Sequence, residues 1–299
     1  AAAPSTEKAR ISLVRAMSGL SSVGAAVKAI RYDLATAHRL ACHYGFDELV
    51  WNHISARVPE VSVKTSAASA EAGSQAQAQA QAQADADIGA ATGAAQFLVT
   101  PGDRHYACMR PEDLVEGHDV VNATGDVIHG AIYGSRPDVK AIMHAHSEAC
   151  VFVSCLPQGV EFFTQDGAGF YGKVAYHDFE GVANDHDEGP RIARDLGQNA
   201  HTLVMRNHGA VTTGNSVQQA WVRMFYFDLV CRAQMNMAKY GPQAKPLPDD
   251  LLKEAAKTYE QSGFTHGEDA EWNGLKQLAR KELGCHWIKD AALPLHLRD

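Results

Sequence analysis

Two histidines one residue apart, His144 and His146, close a short apolar run that begins at Val139. Residues two apart on a strand project to the same face, so the two imidazoles can share one ion. A divalent transition metal, zinc before others, needs three or four such donors, and a catalytic site keeps one position open for substrate or water. The third donor has to come from elsewhere in the chain. His208 is the best placed, because it sits in an Asn207-His208-Gly209 corner beyond another apolar strand, where strand ends and turns converge at one edge of a sheet. On spacing alone, a solvent-exposed or hydrogen-bonded pair is the commoner fate of a His-x-His.

His177-Asp178 sets an imidazole beside a carboxylate, the pairing that orients ligands and bases, although a plain loop pair is the more frequent arrangement. The remaining histidines of the 15 have no partner spacing and read as surface or core residues. Cys150 and Cys155 lie on a helical stretch leading away from the strand end, so thiolate ligation is not expected. No Gly-x-Ser-x-Gly elbow, phosphate-binding Gly-Lys loop or dinucleotide fingerprint occurs.

The elements that must position these groups follow from periodicity. Ile30, Leu34, Ala37, Leu40, Ala41 and Tyr44 recur at helical spacing before a Gly45 stop, and Leu49 to Val58 reads as a strand pair around Asn52 and His53. Strands are expected at Gln96 to Thr100, Val139 to Met143, Val174 to Tyr176, Thr202 to Met205 and Ala210 to Thr213, the last two joined by the Asn-His-Gly corner. Helices are expected at Val127 to Tyr133, Glu148 to Cys155, Gly189 to Leu196 and Ser216 to Lys239. This irregular interleaving favours an α/β fold with a mixed or antiparallel sheet under helices over a parallel nucleotide-binding sheet.

Residues 1–28 read as an exposed N-terminal extension with a short helix from Glu7 to Met17. Residues 64–95 are low in complexity, with Gln-Ala repeated five times between Gln75 and Ala84. Such a tract has too little branched apolar surface to offset its ordering entropy, and is expected to lengthen a hairpin tip. With residues 29–240 as the main domain and 241–299 as a C-terminal helical extension, the 299 residues at 45% hydrophobic and 21% charged make an ordinary globular chain. A net charge of −8 without any run of five Lys or Arg argues against a nucleic-acid partner. No 18-residue apolar stretch and no apolar signal core appear, so no membrane partner and a cytoplasmic location are expected. The six cysteines show no CxxC spacing and read as reduced.

The run Gly134-Ser135-Arg136-Pro137-Asp138-Val139, then His144-Ala145-His146-Ser147, then Arg206-Asn207-His208-Gly209, resembles the class II aldolase/adducin family. Trp51-Asn52-His53-Ile54-Ser55-Ala56-Arg57, Phe97 to Pro101, Asn122 to Gly125 and Val174 to Gly181 fall in the family's order, and the likeness spans Ile30 to Met237. It implies a three-layer α/β/α domain with a largely antiparallel central sheet, assembled as a homotetramer with active sites at subunit contacts. It also implies that His144, His146 and His208 hold Zn2+ or another divalent transition metal. Asn52, Thr100 and Asn122 match substrate-binding turns. The implied activity is that of a lyase on a small hydroxy-carbonyl or sugar-derived compound, working through a metal-stabilised enolate or enediolate.

Two departures qualify the resemblance. Gly125 stands where the family's sugar aldolases carry a glutamate base, which leaves Asp126, Glu148, Asp166 and His129 as substitutes, although a surface, capping or supporting role is the commoner reading of each. Asp103, in the Thr100-Pro101-Gly102-Asp103 turn, would repel a phosphate, so a phosphorylated substrate is not expected. These changes, with the Val-Ala-Tyr-His-Asp-Phe-Glu-Gly run and Trp272, look more like the adducin-head branch. The alternative is therefore a non-catalytic adducin-like cytoskeletal or assembly module with a structural or vestigial metal site.

Overall fold

Seven short strands supply the frame: β1 (His53–Arg57), β2 (Phe97–Val99), β3 (Val115–Glu116), β4 (Ala141–Ala145), β5 (Val174–His177), β6 (Thr202–Met205) and β7 (Gly209–Gly214). They form one sheet in the order β3-β2-β1-β4-β7-β6-β5. Every pairing is antiparallel except that of β5 with β6. The computed structural model describes residues 6–59, 96–117, 123–182, 187–262 and 270–297. Residues 64–95 and Asn122 lie outside the described residues. The strands on either side of the low-complexity tract, β1 and β2, are antiparallel neighbours, as a hairpin requires.

Alternation along the strands builds two cores. Ile54, Ala56, Met143, Ala145, Val204 and Ala210 face α1 (Thr6–His43), α3 (Glu148–Ser154) and α5 (Val217–Met237). Val99, Ile142, Leu203, Met205 and Val211 face α2 (Ala123–Ser135) and α4 (Gly189–Leu196) on the other side. The result is the three-layer arrangement that the family resemblance implies. Trp221 is buried between the helices of the first layer, and its indole N–H donates to Ala37 O at 3.1 Å, fixing α5 against α1. Two further helices, α6 (Asp249–Ser262) and α7 (Ala270–Glu282), follow.

Three elements differ from the sequence expectation. The short N-terminal helix and the helix ending at Tyr44 are one continuous helix of 38 residues, since Gly19 and Gly24 weaken the pattern without a proline to end it. The proposed strand pair from Leu49 to Val58 is a single strand preceded by a turn. Leu49 takes a left-handed φ of 53°, Trp51 N donates to Glu48 O at 3.0 Å, and the Asn52 amide donates to Phe46 O at 2.6 Å, which folds the chain back before His53. The helix expected at Val127 starts at Ala123, so Gly125 lies in its first turn.

Candidate metal centre

Strand register brings the histidines together. His53 of β1 lies opposite His144 of β4, which lies opposite Val211 of β7. His146 follows just beyond the strand, and His208 sits in the turn between β6 and β7. That turn is held by Asn207 in the left-handed region at φ 57° and by the His208 N–H, which donates to Met205 O at 3.1 Å.

Hydrogen bonds fix which nitrogen of each strand histidine is bare. His144 Nδ1 faces Ala210 O at 3.1 Å, and a carbonyl only accepts, so Nδ1 carries the proton. His146 Nδ1 faces a Glu48 carboxylate oxygen at 2.5 Å, which sets the same tautomer. The Nε2 atoms therefore point lone pairs at a common centre, with His146 Nε2 2.7 Å and His208 Nε2 3.3 Å from His144 Nε2. Ligands at about 2.0 Å from a tetrahedral ion stand about 3.3 Å apart. Facing lone pairs repel unless a cation lies between them, so this donor set fits a divalent transition metal. Burial first, then the neighbouring His146, lowers the His208 imidazole to about 4 against the opposing pull of Glu48, and burial likewise lowers His144. Lowered basicity keeps the rings neutral, the form that ligates.

Behind the triad runs a buried polar chain. The His53 ring lies 4.7 Å from that of His144, centroid to centroid. His53 Nδ1 is 2.8 Å from His129 Nε2, His129 Nδ1 is 2.6 Å from Ser55 Oγ, and Ser55 Oγ is 2.8 Å from Tyr133 Oη. The Arg57 guanidinium lies over the Tyr133 ring, 4.9 Å from its centroid. A β-carbon at position 125 would meet the His53 ring at 3.6 Å, so the imidazole borders the space that Gly125 leaves open.

The weaker candidates fall in several places. His129 is wholly buried in the chain just described. Asp126 stays in the first turn of α2, and Glu148 is exposed in the first turn of α3, whose N-cap is Ser147. Asp166 belongs to the short Gln165–Phe170 turn, where its charge acts on Tyr226 and Tyr259. Asn52 and Thr100 line one narrow cleft with His53 and Gly125. The Thr100 hydroxyl is engaged by the Ile54 N–H at 2.8 Å and by His38 Nε2 at 2.7 Å, whereas Asn52 Oδ1 is buried without a donor among the described residues. His177 takes its carboxylates from Asp195 and Glu188, not from its neighbour Asp178. Glu48 and His53 were not singled out from the sequence, because each reaches the site through tertiary contact.

Comparison with known proteins identifies the family. Residues 32–235 match the model of the class II aldolase and adducin N-terminal domain. A Pseudomonas aeruginosa protein whose name places it provisionally among class 2 aldolases is 28% identical over 242 residues, covering 78% of this chain and 80% of its own length. Rat α-adducin (Rattus norvegicus) is 29% identical over 238 residues, which cover 75% of this chain but 27% of adducin. The crystal structure of an aldolase II superfamily protein from Pseudomonas syringae superposes with a TM-score of 0.68 at 25% identity, covering 86% of this chain and 94% of that one. The chain belongs to the class II aldolase/adducin family.

Proposed function

We propose that this protein is a metal-dependent lyase of the class II aldolase type, acting on a small hydroxy-carbonyl or sugar-derived compound. The observation that carries the reading is the convergence of three Nε2 atoms, two of them held in the ligating tautomer by Ala210 O and Glu48. A divalent ion there, zinc by the all-imidazole donor set, supplies Lewis acidity towards a carbonyl or alkoxide oxygen. The protein's own groups do the rest. We assign the substrate hydroxyl to Asn52 Oδ1, a buried acceptor with no donor among the described residues, and this requires the space it shares with His53, too small for a water molecule, to open. Asp103 follows closely on Thr100 and Gly102 of that cleft and disfavours phosphorylated substrates. The assembly we propose is a cytoplasmic homotetramer.

Metal analysis of the purified chain, joined to a screen of sugars, sugar acids and their phosphates, tests this reading. The expected result is close to one equivalent of metal and a carbon–carbon cleavage activity that His208→Ala lowers by at least about a hundredfold, the scale at which a Lewis acid acts. Activity that survives His208→Ala intact removes the ion from the mechanism.

One observation favours the second reading, an adducin-like assembly module. The carboxylate seen at the triad, Glu48, is already committed to His146, and Gly125 offers no base. Stoichiometric metal in a stable oligomer that turns over none of these compounds would support the module.

A further inference from the structure

The end of β5 carries a second set of ligand-type side chains, separated from β7 by β6. His177 closes β5, Glu180 follows in the next loop, Glu188 stands at the N-cap of α4, and Asp195 lies within α4. His177 and Glu188 have side-chain exposures of 2% and 7%. His177 Nδ1 is 2.8 Å from Asp195 Oδ2, and His177 Nε2 is 3.3 Å from Glu188 Oε1. A nitrogen of His177 and one carboxylate oxygen each from Glu180 and Glu188 all lie within 4.8 Å of one another.

Three features of this cluster point to a cation. An ionised Asp195 can only accept, so His177 Nδ1 carries the hydrogen and Nε2 is aimed at a buried Glu188 carboxylate oxygen, a pair that either a proton or a metal ion between them satisfies. Two lone pairs facing one another out of water are unfavourable unless positive charge lies between them. Glu188 occupies the N-cap of α4 without a side-chain capping bond, its carboxylate being turned to the imidazole while its carbonyl accepts from Arg191 N–H and Ile192 N–H. Glu180 is held by Arg191, whose Nε lies 2.8 Å and 3.0 Å from its two oxygens, so this arm is oriented before any ion arrives.

We infer that His177, Glu180 and Glu188 form a second divalent-cation site, independent of the histidine triad, with Asp195 as the residue that positions His177. One imidazole and two carboxylates make a harder donor set than three imidazoles and suit Mn2+ or Fe2+. Such an ion would bridge β5 to α4 at the same strand end of the sheet as the β6–β7 turn that carries His208.

The test uses the full chain carrying His208→Ala, stripped of metal and titrated with Mn2+ alone, free Mn2+ being read by electron paramagnetic resonance. One bound equivalent is expected. Glu188→Gln should abolish it, and Asp195→Asn should weaken it by roughly 10- to 100-fold, as loss of an orienting carboxylate does at other metal sites. Glu188 is buried, so Glu180→Gln serves as the arm that leaves the core alone, and it should weaken binding at least tenfold with an unchanged circular dichroism spectrum. A proton could fill the same gap, giving an imidazolium between two carboxylates. In that case the His208→Ala protein takes up no Mn2+ at about 1 mM, and the inference is overturned. Binding that either Glu180→Gln or Glu188→Gln leaves unchanged also overturns it. Because His208 is already removed, failure here is distinguishable from failure of the triad.

Discussion

Glu48 acts on the triad from outside it. Its carboxylate holds His146 Nδ1–H at 2.5 Å, aiming Nε2 inward. Its side chain is 55% exposed, so little packing is lost with it. Glu48→Ala should therefore weaken metal binding by roughly 10- to 100-fold in a competition titration, while stability in urea stays within about 0.5 kcal/mol, as for other surface changes. Unaltered affinity would show that His146 needs no orienting partner. The contrast with His144 and His146 explains what the sequence could reveal. Those two declare themselves because a spacing of two maps onto one face of a strand, and His208 because a tight corner follows an apolar run. Glu48 stands 98 positions before its partner, and His53 meets His144 across a strand pair, so neither leaves a local signature.

At the scale of elements, two glycines beside the site have opposite prospects. A β-carbon on Gly209, the first residue of β7, would meet Ala145 O at 2.6 Å and His146 Cδ2 at 3.0 Å, a backbone clash that only a shift between β4 and β7 relieves. Gly209→Ala should lower stability and degrade metal affinity together, since the same shift moves His146 from His208. At Gly125 the nearest atoms belong to the His53 ring at 3.6 Å, an ordinary contact, and the residue lies inside α2. Gly125→Ala should raise stability by about 0.5–1 kcal/mol through helix propensity, with metal content unchanged. Urea unfolding and metal analysis of both variants check the pair. The glycine at 125 was read from the sequence as a missing base, but that His53 borders the vacated space depends on the contact between β1 and α2. The strand expected at Leu49 failed for a related reason: its apolar residues suit a strand, but the Asn52 amide bond to Phe46 O and the left-handed Leu49 make a turn that lifts Glu48 towards His146.

Across the whole molecule, buried neutral histidines tie stability to pH. His38 is completely buried, with Nδ1 at 2.6 Å from Leu34 O and Nε2 at 2.7 Å from Thr100 Oγ1, and burial lowers it to about 4 despite that backbone bond. His129, enclosed by His53 and Ser55, is lowered by burial to about 3. In the unfolded chain both take up a proton near pH 6.5. Between that value and the folded ones, the unfolded state binds more protons, so stability declines as pH falls. Each histidine contributes roughly 1.4 kcal/mol per pH unit over this window, and the pair about 3 kcal/mol. Their contribution is complete and flat above pH 7.5, and is lost progressively from about pH 6.5 down towards 4 and 3. In urea unfolding of the metal-free protein, these two histidines alone should lower stability by about 1.5 kcal/mol between pH 7.5 and 6 and by about 2.5 kcal/mol more between pH 6 and 5. A flat profile from pH 7.5 to 5 would mean that both imidazoles gain their protons inside the fold, and with that the neutral chain from His53 through His129 to Tyr133 could not stand as described.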